Sequence, residues 1–140
     1  MSQLDFILLS IGGNDAHWSK TPDEMIASLE RLVGHIYDRL PETTEVIITQ
    51  IPPERGDVYP LIMPSDTLWN DIVKPYNDRI PKVADNSRAD GKHVSSVDIW
   101  GIIQSDFDLD EVGLHPRVAA SERMAEVYFN KIMKILAQQP

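Results

Sequence analysis

The chain has no cysteine. That excludes disulfides, thiolate zinc sites and a cysteine nucleophile. Positive charge is scarce as well. Lys and Arg number 13 against 22 Asp and Glu, for a formal net charge of −9. Such a surface repels phosphate backbones and anionic lipid, so neither nucleic acid nor a membrane is an expected partner. No apolar run approaches the ~20 residues of a membrane-crossing helix. Met1 to Asp5 lack the basic stretch that opens a secretory signal, and there is no Asn-x-Ser/Thr sequon. With the missing cysteines, this fits a cytoplasmic protein. No internal repeat or low-complexity tract divides the 140 residues, which are enough for one core and not for two, so a single domain over 1–140 is expected.

What is present is alternation. Phe6-Ile7-Leu8-Leu9-Ser10-Ile11 is almost continuously apolar and stops at Gly12-Gly13, as a strand buried on both faces of a parallel sheet would. Thr21-Pro22-Asp23-Glu24 opens a helix: Thr21 caps, Pro22 suits the first helical position and Glu24 completes a capping box. Met25, Leu29, Leu32, Val33, Ile36 and Leu40 follow at helical spacing until Pro41. Residues 46–51 read as the second strand, ended by Pro52-Pro53 and a long loop through Gly56, Pro60 and Pro64. Residues 66–88 read as helix, kinked or split by Pro75 and Pro81. Residues 93–99 read as a third strand, followed by an acidic loop with Asp106, Asp108, Asp110 and Glu111. A last helix begins near Pro116 and buries Met124, Tyr128, Ile132, Ile135 and Leu136. The order β-α-β-α-β-α predicts an α/β protein, a three-layer α/β/α sandwich on a short parallel sheet. Three strands are few where about five or six are usual.

Two stretches carry residues suited to chemistry. Gly12-Gly13-Asn14-Asp15 directly follows a predicted strand. It reads equally as a Gly-rich turn and as a site loop in which the Asn14 amide donates to a developing oxyanion. Gly113-Leu114-His115-Pro116 precedes the last helix, with carboxylates just before it. A His with a nearby carboxylate is the base half of a triad. His17 and Trp18 follow the Asn14 block closely enough to line the same cleft, although a surface-loop His is the plainer reading. Trp69, Trp100, Tyr59 and Tyr76 suit a cleft or a core. The acidic run lacks the glycine and terminal glutamate of a calcium loop. His17, His35 and His93 lack metal-ligand spacing, so neither a metal nor another cofactor is expected.

Together these residues resemble the SGNH, or GDSL-type, hydrolase superfamily. Residues 8–15 are similar to its strand and Gly-x-Asn-Asp block, and Asp110 to Pro116 resembles its Asp-x-x-His-Pro block. Tyr76-Asn77-Asp78-Arg79-Ile80-Pro81, Gly91-Lys92-His93-Val94 and Val97-Asp98 resemble the carbohydrate-esterase branch that includes acetyl xylan esterases. The resemblance implies Asn14 as an oxyanion donor and His115 as general base, with Gly13 in the same block. It places the carboxylate three residues before the His, where Val112 stands here. Asp110 is preferred as the partner, with Glu111 second.

The resemblance also implies a Gly-Asp-Ser nucleophile block on an earlier strand, and no such block precedes the Asn14 strand. At least one βαβ unit, roughly 30 residues, is therefore expected to be missing, giving a truncated SGNH or flavodoxin-like sheet. Ser10, Ser95 and Ser96 are expected within strands, and Ser2, Ser19, Ser28, Ser65, Ser87, Ser105 and Ser121 have no nucleophile context. The bare first strand predicts a homo-oligomer, its edge covered by another copy. Three readings stay open: an ester hydrolase whose serine comes from elsewhere, a repurposed acid/base enzyme (cyclase, isomerase or lyase) acting on a small carbonyl compound at a pocket rebuilt across a dimer, or a non-catalytic binding or assembly module.

Overall fold

A computed structural model describes residues 5–18, 20–54 and 66–138 of the chain, and for residues 66–69, 105 and 106 the backbone alone. The predicted loop through Gly56, Pro60 and Pro64, the aromatic Tyr59, and Ser2, Ser19 and Ser65 lie outside the described residues, as do the side chains of Trp69, Ser105 and Asp106. The chain builds β1 (Phe6–Leu9), α1 (Gly13–His17), α2 (Pro22–Tyr37), β2 (Glu45–Thr49), α3 (Asp66–Ala89), β3 (Val94–Val97), a 3-10 turn (Trp100–Ile102), α4 (Ser105–Asp108) and α5 (Val118–Leu136). The strands form one three-stranded sheet in the order β1-β2-β3, parallel throughout.

Alternation along β2 explains the layers. Val46 and Ile48 face the core made with Met25, Leu29 and Val33 of α2 and Val73, Tyr76 and Ile80 of α3. Ile47 faces the other way, toward Met124, Tyr128 and Ile132 of α5. A side-chain period of two thus serves both faces of one strand. All five residues of β2 are buried, as a central parallel strand requires. The Tyr128 hydroxyl meets Thr49 Oγ1 at 2.6 Å and ties α5 to β2.

Several boundaries differ from the sequence expectation. β1 ends at Leu9, paired with Ile48, so Ser10 lies beyond the strand. Its residues are half-buried, with Leu8 48% exposed, because among the described residues β1 is an edge and not a strand covered on both sides. The capping box at Thr21 and Glu24 forms, yet α2 stops at Tyr37 because a residue before proline avoids helical backbone, here Leu40 before Pro41. Pro75 and Pro81 do not split α3. Both sit on its exposed face, where water can take the freed carbonyls. The acidic segment holds a short helix, α4, instead of open loop.

One side chain fixes how the second site loop leaves the sheet. Asn77, 2% exposed on α3, accepts from the Ile51 N–H at 2.9 Å and donates to the Ile51 carbonyl at 2.8 Å. It acts as a strand partner just past the end of β2, where the ladder has run out.

Candidate active site

The C-terminal ends of β1 and β2 open onto a cleft of about 580 Å³. Its walls come from three stretches distant in sequence: residues 10–15 with His17 after β1, Ile51, Pro52 and Glu54 after β2, and Leu114 with His115 before α5. This is the end of a parallel sheet where α/β proteins place their sites.

The floor is set by Gly12. Its φ of +109° is unfavourable for other residues, and a Cβ there would lie 3.0 Å from Ile51 Cδ1 and 3.2 Å from Tyr76 Cε1. Tyr76 is core, 1% exposed, and supports the loop from behind. Gly12 turns the chain into α1, which puts Gly13 and Asn14 on the cleft wall. Asp15 pairs with Lys20 at 2.7 Å.

The opposite wall carries His115. Asp110 Oδ2 lies 3.0 Å from His115 Nδ1. Asp110 Oδ1 accepts from the Leu114 N–H at 3.0 Å and the His115 N–H at 3.3 Å. Burial pulls the Asp110 carboxyl up, but the Leu114 N–H, the His115 ring and the His115 N–H bring it below the usual carboxylate range. In the tautomer whose Nδ1–H donates to this carboxylate, the lone pair is on Nε2, turned away from Asp110. The longer spacing from carboxylate to ring is absorbed by a turn at 111–113, where Gly113 adopts φ +72°. The loop is closed by a bridge between Leu109 and Pro116. Glu111 is exposed in that turn, and the carboxylate bonded to the ring is that of Asp110.

His17 also reaches the cleft, where its Nε2 lies 3.3 Å from Glu54 Oε1. Both side chains are largely covered, 21% and 14% exposed. Burial lowers the His17 ring and pushes the Glu54 carboxyl up to about 7. Trp18 is not on the cleft wall and is 83% exposed, while Trp100 packs against the main core. Asn14, Gly13, His17 and His115 are thus brought together and Trp18 is not. Outside the stretches singled out in the sequence, two lining residues bear a hydroxyl or a carboxylate, Ser10 and Glu54. Ser10 lines the cleft because β1 ends one residue before it. Glu54 does so because it follows the end of β2, and its place after a predicted strand was the available signal. Among the described residues no group of three or more His, Asp or Glu is arranged to hold a metal, and no helix is long and apolar enough to cross a membrane.

Residues 2–127 match the family of GDSL-like lipases and acylhydrolases. Among solved structures, a family 3 carbohydrate esterase of Clostridium thermocellum is similar with a TM-score of 0.72 at 23% identity, over 95% of this chain and 59% of that one. A family 3 carbohydrate esterase from Talaromyces cellulolyticus gives 0.77 at 17% identity, over 97% and 60%. An acetyl esterase mutant holding an acetate ion gives 0.75 at 19%, over 95% and 59%. These likenesses are of fold, and the chain spans about three-fifths of the length of each structure. No curated protein matches.

Proposed function

Since the chain belongs to the family of GDSL-like lipases and acylhydrolases, we propose that its cleft binds a small ester or related carbonyl compound and serves acyl hydrolysis. In this reading the Asp110-oriented His115 is the general base. Asn14 donates its side-chain amide to the oxygen that gains charge as the carbonyl is attacked. Gly13 and His17 line the substrate's path. The observation that carries the reading is the pairing of His115 Nδ1 with Asp110 Oδ2 at 3.0 Å, on a loop that shares its cleft with Asn14. That arrangement holds the ring in one tautomer and turns its basic nitrogen free of the carboxylate.

The attacking group is a hydroxyl whose proton passes to His115 Nε2. Ser10 is the one serine lining the cleft among the described residues, and water is the other source. The solved acetyl esterase and carbohydrate esterases make acetyl esters, those of sugars included, the first substrates to try.

The test is hydrolysis of p-nitrophenyl acetate by the full chain. His115→Ala and Asn14→Ala should each lower kcat/KM by about a hundredfold or more. Labelling with a serine-directed phosphonate, and its loss in Ser10→Ala, separates a serine from water as nucleophile. Wild-type turnover that survives His115→Ala would sink the proposal.

A further inference from the structure

We infer that Glu54 is the general acid of this cleft, giving its proton to the leaving alcohol while His115 takes one from the attacking hydroxyl. The inference rests on the hydrolysis reading, but its evidence lies in a different pair of residues. Among the described residues four titratable side chains line the cleft: Asp15, His17, Glu54 and His115. Asp15 is engaged by Lys20 at 2.7 Å and His115 by Asp110 at 3.0 Å. Glu54 and His17 face each other at 3.3 Å on walls built by different loops. The cleft thus holds two His–carboxylate pairs of opposite character. In one the His is 77% exposed and its carboxylate is ionised by backbone donors. In the other both members are covered, and burial works against the charge on each. Environments that drive two titratable pairs apart assign one the base and the other the acid.

Asn77 anchors Ile51, three residues before Glu54, and Ile51 Cδ1 lies where a Cβ on Gly12 would meet it. The two loops are therefore fixed against adjacent α3 residues, Tyr76 for the first and Asn77 for the second. With its proton on Nε2, His17 donates to Glu54 Oε1, leaving the acid's O–H on the other oxygen. The step balances as follows. The attacking O–H bond breaks, its oxygen bonds to the acyl carbon, and its proton goes to His115 Nε2. The ester C–O bond breaks and the leaving oxygen takes the Glu54 proton. The Glu54 carboxylate is then stabilised by the His17 N–H, and solvent returns the proton from His115. His17 is here a positioning residue.

Leaving groups separate this role from a structural one. p-Nitrophenolate departs without a proton, whereas the alcohol of ethyl acetate needs one. Glu54→Gln should lower kcat/KM for ethyl acetate by about a hundredfold or more, a loss at least about tenfold larger than the one on p-nitrophenyl acetate. Equal losses on both esters would overturn the inference. A second readout is independent of turnover. In the full chain labelled with carboxyl-13C glutamate, the resonance missing from Glu54→Gln should titrate near neutrality and shift when acetate is added. A Glu54 signal that titrates in the ordinary glutamate range, or ignores acetate, overturns the inference even if esters are cleaved. A signal that behaves as expected in a protein that cleaves neither ester sinks the hydrolysis reading and with it the role of Glu54 toward a leaving alcohol, whereas a failed signal in a protein that cleaves esters overturns the inference alone.

Discussion

At the scale of single residues, the site depends on one position without a side chain. Gly12 combines φ +109° with two contacts that a methyl group would crowd. Gly12→Ala is expected to cost about 1–3 kcal/mol of stability, read from urea unfolding, and to displace Asn14 so that activity falls further than stability accounts for. Glu54 gives a pH signature. Its carboxyl is raised from an ordinary 4.5 to about 7, so its contribution is fully present below pH 4.5 and is lost as pH rises through 7. His17, lowered by burial, acts with the opposite sign, losing stability as pH falls. The clean measurement is thus the difference between variants: Glu54→Gln should gain melting temperature relative to wild type between pH 4.5 and 7. A constant difference would contradict a buried acid. That Asn14 and His115 lie at the mouths of elements was legible from Gly13 before the one and Pro116 after the other, and the fold brings both to one cleft. Glu54 was not, since a glutamate after two prolines reads as surface until the fold closes over it.

At the scale of elements, periodicity and capping carried most of the information. The repeat from Met25 to Ile36 and the Thr21–Glu24 box specify α2, and the unbroken apolar run Val46-Ile47-Ile48 suits the strand that the fold covers on both faces. The five-residue α1 was not legible, because Gly-Gly-Asn-Asp has the composition of a turn whether or not one helical turn follows. Of the two outcomes expected from Pro75 and Pro81, a kink or a split, the split does not occur in α3, because both prolines lie on its exposed face. Asn77 shows what no pattern reveals: a polar residue in a helix whose partner is 26 residues away. Asn77→Ala leaves the Ile51 N–H and carbonyl buried without partners, at a cost on the order of 3 kcal/mol. Amide exchange at Ile51 should quicken accordingly, and protection equal to wild type would show that the clamp is dispensable.

At the scale of the whole molecule, strand–helix alternation gave the parallel sheet and its helices on both sides. Strand order needed the fold, whereas the bare β1 edge already follows from the resemblance and its missing first block. Among the described residues β1 has no strand on its outer side, and Leu8 of β1 and Phe129, Met133 and Leu136 of α5 are exposed. The α5 residues recur at helical spacing along one stripe. Edges and stripes of this kind are generally covered, and we expect a second copy to cover this one. Sedimentation at micromolar concentration should report a dimer that Leu8→Lys with Phe129→Glu dissociates. A wild-type monomer would remove that expectation.

The loop from Leu109 to Pro116 has a use beyond this scaffold. Its ends are stitched by their own bridge, its turn is made by Gly113, and its carboxylate grips both the ring and the backbone of the histidine it serves. The histidine and the carboxylate bonded to it therefore travel as one cassette. They are insulated from drift in the rest of the chain and portable in principle to any pair of elements that presents the same two anchor points. Transplanted to an inert α/β protein, the cassette should keep the 3.0 Å His115–Asp110 contact, which a crystal structure of the graft would show directly.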